Sequence, residues 1–256
     1  TLMTPLMTIG LGVLITHEAF FYMCSSTRER FGIGPDQRVL EYRSISWASP
    51  QLLSVGSTLQ SGATLVLAPR FSQTRFFDWI RDHRATIAAG VPTVLRMLLD
   101  RPVAVTARDV PTLRFVTSSS APLDDHTERD FERRYGIPVV QGCGMTEAGF
   151  MAGNDPAAPR PGSIGRPMDH IRAWLVDERG APCPPGHEGE LMVAGRQMAS
   201  AYLTESGRVV EIPQDGSADK SNDLGGYSVI QAESKEAAVA LFKGNPHFQM
   251  PGAVID

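Results

Sequence analysis

The 256-residue sequence is poor in the residues that staple or metallate a fold. It carries three cysteines, Cys24, Cys143 and Cys183; none forms a C-x-x-C pair, and none stands beside a histidine at zinc-finger spacing. The six histidines are scattered. The spacing therefore gives no sign of a zinc site. Free buried thiols in a reducing compartment are expected, and with them a cytoplasmic location. An excess of basic charge is also lacking. Lys plus Arg is 24 against 28 for Asp plus Glu, a net charge of -4, which gives no electrostatic reason to expect nucleic acid as a partner. No internal repeat is visible. The most apolar stretch, "TLMTPLMTIGLGVLITHEAFFYM", has no Lys or Arg before it and is interrupted by Pro5, Gly10, Gly12 and His17. It therefore reads as a buried strand or a helix start rather than a signal peptide or a membrane anchor.

Hydrophobic residues make up 42% of the chain, enough for a folded core. From about residue 39 the pattern alternates between two periods. "VLEYRS", "TLVLAP", "ATIAAGVP", "TLRFVTSSS" and "IPVVQ" read as strands. Between them, "SQTRFFDWIRDH" reads as a helix with Ser72 as N-cap and Phe76, Trp79, Ile80 and His83 on one face; "TVLRMLLD" is a second. "LDDHTERDFERRYG" is a third helix, with acids in its first turn, arginines in its last and Gly136 as its stop. Strands alternating with helices predict an α/β fold: a parallel sheet with flanking helices. Residues 1–168 form this core. Past residue 168, "IRAWLVDERG" and "EGELMVAG" read as paired strands, a small β hairpin subdomain over residues 169–205. A polar linker leads to "YSVIQAE", "SKEAAVALFKG" and "GAVID", a C-terminal β-α-β appendage within residues 206–256. Ala238, Leu241 and Phe242 share the expected inward face of its helix.

Two loops fall at the carboxyl ends of predicted parallel strands, where such sheets bind ligands. One is "TSSS". The other is "QGCGMTE", in which glycines that free the backbone precede a hydroxyl and a carboxylate. Thr-Glu is oxygen chemistry, suited to a phosphate and its Mg²⁺. A Gly-x-Gly after a strand is more often a tight turn than a phosphate site, and there is no third glycine to complete a dinucleotide fingerprint.

In this order the segments resemble the adenylate-forming acyl-activating family, which includes acyl-CoA and aryl-CoA ligases. "GVLITH" resembles the stretch after that family's phosphate loop, "YRSISWASPQL" its gate segment, and "TSSSAPL" its adenine-side loop. "QGCGMTE" resembles the Y-G-x-T-E signature, while "GSIGRP" and "VDERGAPCPPGHEGEL" resemble the loop and hairpin that follow. The resemblance covers residues 12–203. It implies that Ser119, Ser120, Ala121, Gln141, Gly142, Cys143, Gly144, Met145 and Thr146 line a site for ATP or AMP. It further implies that Thr146 contacts phosphate, that Glu147 binds Mg²⁺ and that Trp47 is the acyl or thiol gate. The expected partners are a nucleotide, a small carboxylic acid and coenzyme A. Cys143 stands where the family usually has a tyrosine on adenine, and a thiol offers far less stacking area.

Other family features are missing. "TLMTPLMTIGL", ahead of "GVLITH", has no lysine and no glycine cluster to wrap phosphates. After "GRQMASAYL" no Thr-Gly-Asp follows, and neither Lys235 nor Lys243 sits in a context like that of the family's catalytic lysine. Residues 223–256 instead resemble half of a YCII-like domain, a small dimeric α+β barrel. The chain thus reads as parts of two families joined near Ser206. Two functions are expected from this: an incomplete, weak or inactive acyl-activating ligase, or a non-catalytic binding protein that dimerises through its C-terminal tail.

Overall fold

A computed structural model describes residues 2–4, 11–204 and 209–212. The C-terminal β-α-β appendage, with Ala238, Leu241 and Phe242, lies outside the described residues. So does the segment 5–10, which connects β1 (Leu2–Thr4) to β2 (Leu11–Ile15).

The centre is a seven-stranded sheet. Its strands are β3 (Arg38–Glu41), β4 (Thr64–Leu67), β5 (Ile87–Ala88), β6 (Phe115–Ser118), β7 (Val139–Met145), β8 (Gly149–Gly153) and β9 (Arg166–Pro167). Their spatial order is β4-β3-β5-β6-β7-β8-β9. The first five in this order pair in parallel, and β8 and β9 close the edge antiparallel. The central strands read as continuous apolar runs because both faces are covered. Successive side chains point to opposite faces. Val39, Ile87, Phe115 and Val140 enter one core, and Leu40, Ala88, Val116 and Val139 enter the other.

Helices explain why each face is dry. The first core is roofed by α1 (His17–Phe31) and by the helical run of α2 (Ala48–Pro50), a π-helical turn (Gln51–Gly56) and α3 (Ser57–Ser61). The second is roofed by α4 (Phe76–Asp82), α5 (Pro92–Asp100) and α6 (Asp125–Tyr135). Phe76, Phe77, Ile80, Phe131 and Tyr135 interlock there at 0–1% exposure, in tilted and edge-on ring pairs 4.9–5.1 Å apart for the Phe76–Phe77, Phe77–Tyr135 and Phe131–Tyr135 contacts. Helix α6 has the expected ends: Asp124 accepts a hydrogen bond from Thr127 N at 2.8 Å, and Gly136 closes it in the left-handed conformation.

Three local expectations are corrected. Ser72 does not cap α4: the helix starts at Phe76 after Arg75, and Ser72 accepts from Arg75 N and Phe76 N one turn earlier. His83 is the exposed C-terminal cap of α4, off the buried face. "GCGM" is not a loop after a strand; Gly142–Met145 continue β7, because β8 folds back on them as an antiparallel partner.

Two smaller sheets accompany the central one among the described residues. The hairpin of β10 (Ile171–Val176) and β11 (Glu190–Gly195) pairs as the sequence suggests. β12 (Ala201–Thr204) joins β2 and β13 (Val209–Glu211) in an antiparallel sheet with order β1-β2-β12-β13.

Candidate nucleotide site

The parallel register places the two loops singled out in the sequence. β6 and β7 are neighbours, and Ser118 pairs with Gln141. β6 ends there and releases Ser119, Ser120 and Ala121 at its carboxyl end. β7 runs four residues further, to Met145, before Thr146, Glu147 and Ala148 turn the chain into β8. Both loops therefore leave the same end of the sheet from adjacent strands.

The hydroxyl loop has unspent hydrogen-bonding capacity. Ser118 Oγ and Ser119 Oγ are buried without a hydrogen-bond partner among the described residues. A buried polar atom without a partner is costly, so two together at a strand end mark a place shaped for something other than packing. Ser120 is exposed and holds φ at 71°, a left-handed conformation that non-glycine residues rarely adopt. Strained residues of this kind cluster at ligand-binding loops. Thr117 Oγ1 accepts from Gly90 N at 3.1 Å and ties in the loop after β5.

The Thr-Glu turn is held from several sides. Thr146 and Glu147 are 7% and 4% exposed. Tyr202 donates its hydroxyl to Glu147 Oε1 at 2.9 Å, and Ala199 N donates to the Glu147 carbonyl at 2.6 Å. Gln197 is fully buried beneath the turn. Its amide donates to the carbonyls of Ala148 and Phe150, and its oxygen accepts from Ser26 Oγ of α1 at 2.7 Å. The glycines have a clear reason here. A Cβ on Gly144 would strike the Gly149 carbonyl, and Gly149 itself sits at φ 66°.

Gln141 faces away from this turn. It donates to Glu128 Oε2 at 2.6 Å, and Gly162 N donates to the same oxygen at 3.2 Å. Glu128 Oε1 is buried without a partner among the described residues. Burial raises the Glu128 carboxyl above the usual range, against the lowering effect of these two donors.

Cys143 is half-buried, and burial pushes its thiol pKa up. A thiol so held is a poor nucleophile, which argues against covalent thiol chemistry. Trp47 caps the N-terminus of α2 and is 44% exposed, with its neighbour Ile45 at 51%. It is a surface aromatic on a short loop after β3, not part of either core.

Mg²⁺ and a nucleotide suit this donor set. Among the described residues no group of three or more His, Cys, Asp or Glu could hold a metal ion by itself. One buried carboxylate beside hydroxyls instead fits a hard cation that takes most of its ligands from phosphate and water. The sequence pointed to Thr146, Glu147 and the serines. It gave no warning of Tyr202, Gln197 or Glu128, whose partners lie 13 to 171 residues away and leave no local pattern.

The fold and the sequence can be compared with those of known proteins. The fold matches ATP-bound MatB from Rhodopseudomonas palustris with a TM-score of 0.72 at 23% identity, over 84% of this chain and 45% of that one. Sulfoacetate–CoA ligase of Cupriavidus necator is 30% identical over 236 residues, which cover 89% of this chain and 46% of that protein. Indoleacetate–CoA ligase of Aromatoleum aromaticum is 28% identical over 238 residues, 90% of this chain and 46% of that protein. The chain thus spans about half the length of the curated relatives it matches. The model of the AMP-binding enzyme family matches residues 12–203, three quarters of the sequence, and the chain belongs to that family.

Proposed function

We propose that the chain supplies the nucleotide-holding part of an acyl-activating ligase. The observation that carries this reading is the placement of the Ser119–Ala121 loop and the Thr146–Glu147 turn at the carboxyl ends of two adjacent parallel strands. The reaction class is carboxylate activation. A carboxylate oxygen attacks the α-phosphorus of ATP, the bond to the β-phosphate oxygen breaks, and pyrophosphate leaves an acyl-adenylate. The thiolate of coenzyme A then attacks the acyl carbon and releases AMP.

The residues divide the work. The unpartnered hydroxyls of Ser118 and Ser119 offer hydrogen bonds to the adenine side, with Ser120 and Ala121 shaping the loop. Cys143 occupies the edge where an aromatic ring would stack, at a cost in affinity. Thr146 donates to phosphate. Glu147, oriented by Tyr202, holds Mg²⁺, which when bound offsets phosphate charge. Trp47 covers the acyl side from the loop after β3.

The 256-residue polypeptide alone activates acids poorly. Phosphoryl chemistry relies on positioned cations and N–H donors, and Thr1–Leu11 contain no lysine and no glycine cluster to supply them. Losing one such donor costs about 3–4 kcal/mol, or roughly 10² to 10³ in rate. Carboxylate-dependent pyrophosphate exchange over a panel of aryl and short-chain acids tests this, alongside direct binding of AMP. Bound AMP with feeble exchange is expected. Strong exchange abolished by Glu147→Gln would show that the N-terminal segment supplies the donors after all. Absence of AMP binding would favour a scaffold without catalysis.

A further inference from the structure

We propose that Glu41, Arg43 and Ser49 form a positioning relay that sets the conformation of Ser120 from the segment carrying Trp47, so that the gate side and the adenine side of the site move as one. The proposal rests on the nucleotide-site reading of the loop after β6.

The relay starts deep. Glu41, the last residue of β3, is fully buried, and the Arg43 side chain is 4% exposed. The carboxylate accepts from Tyr42 N at 3.0 Å, Arg43 N at 2.8 Å and Arg43 Nε at 2.9 Å on one oxygen. Its other oxygen accepts from Arg43 Nη2 at 2.7 Å and Ser54 Oγ at 2.6 Å. This bidentate pair fixes the plane of the guanidinium. Ser54 comes from the π-helical turn Gln51–Gly56, a wide turn of the sort found at functional sites.

The remaining arm of the guanidinium reaches the segment after α2 begins. Arg43 Nη1 donates to Ser49 Oγ at 3.2 Å. Ser49 Oγ in turn lies 3.3 Å from Ser120 Oγ, across 71 residues of sequence. Ser120 is the residue held at φ 71°. Ser120 is exposed, and the Ser49 hydroxyl is a polar contact that can hold it there.

Trp47, the proposed gate, follows Arg43 by four residues in the same segment. Trp47 lies between Arg43 and Ser49 and is not fixed by burial. Its backbone is set by Trp47 N donating to Ser44 O at 3.1 Å, and the loop by Gln51 Nε2 donating to Ile45 O at 3.0 Å. A buried ion pair adds little stability over an apolar pair of the same shape. Its presence at a strand end, with one donor on Ser49, whose hydroxyl meets the strained Ser120, is better explained by the geometry it imposes.

Ser49→Ala is the probe, because any loss of Arg43 would leave Glu41 buried and unpaired. Hydrogen exchange by mass spectrometry reads the coupling without nucleotide. The variant should speed exchange at residues 119–121 several-fold as well as at 45–49, and weaken AMP binding about three- to tenfold. Ser49→Thr, which keeps the hydroxyl, should restore both. In a Ser120→Gly background, where the left-handed conformation is cheap, Ser49→Ala should add little. Unchanged exchange at 119–121 in Ser49→Ala overturns the relay. Altered exchange that Ser49→Thr fails to rescue also overturns it, since packing rather than the hydroxyl would then be responsible. If the unsubstituted chain binds no AMP while the exchange coupling persists, the relay stands and the nucleotide reading fails.

Discussion

Gln197→Ala should be among the most damaging single changes in the chain. The side chain is fully buried and joins three separate pieces: the Thr-Glu turn through Ala148, strand β8 through Phe150, and helix α1 through Ser26. Removing it strips partners from two carbonyls and one hydroxyl. Each buried polar atom left without a partner costs about 1–3 kcal/mol. Water entering the vacated space recovers part of this, so a net loss of about 2–4 kcal/mol is expected. Domain stabilities are typically about 5–15 kcal/mol, so the loss is large but survivable. Urea unfolding followed by far-ultraviolet dichroism measures it. Gln197→Glu is the sharper control. It keeps the shape but puts an oxygen where two carbonyls expect N–H groups, and should cost at least as much. If Gln197→Ala stays within about 1 kcal/mol of the parent and Gln197→Glu is no worse, the latch is not what holds the turn.

Gly144→Ala forces a methyl into the Gly149 carbonyl, and should cost about 1–3 kcal/mol with a shifted β7–β8 hairpin, read by denaturation and by nucleotide binding together. Cys143→Tyr restores a ring at the proposed adenine edge. A stacking gain of about 0.5–1.5 kcal/mol would tighten AMP roughly two- to tenfold by calorimetry, and no gain would remove Cys143 from the site. Glu128 has a pH signature. Its folded pKa is raised by burial, so its stabilising contribution is complete below its unfolded value and is lost as pH rises through the raised one. The stability difference between the parent and Glu128→Gln should therefore shift against the parent over that window and be flat above it; a flat difference throughout means the carboxyl is not perturbed.

How much of this was legible beforehand depends on the range of the interaction. The parallel core was readable because each strand's apolar run and each helix's periodicity are local, and α6 carried its own cap at Asp124 and stop at Gly136. The extension of β7 through Gly142–Met145 was not. Glycines argue against a strand by propensity, and only the pairing with β8 overrides them. Helix α1 was missed beyond its start because Ser25, Ser26 and Thr27 sit on its buried face, where a polar run hides the apolar stripe. The candidate loops were found from residue type and order. Their supports, Tyr202 on Glu147 and Gln197 on Ser26, are contacts across 55 and 171 residues that no local pattern encodes.

We propose that one end of the sheet holds an adenine nucleotide, with Glu147 serving its metal. Isothermal titration of ATP with and without Mg²⁺, on the parent and on Glu147→Gln, tests it most directly. Measurable ATP binding that Mg²⁺ strengthens is expected in the parent, with a Mg²⁺ enhancement that largely disappears in Glu147→Gln while AMP binding persists. No binding at millimolar ATP, or an identical Mg²⁺ effect in both proteins, would contradict it.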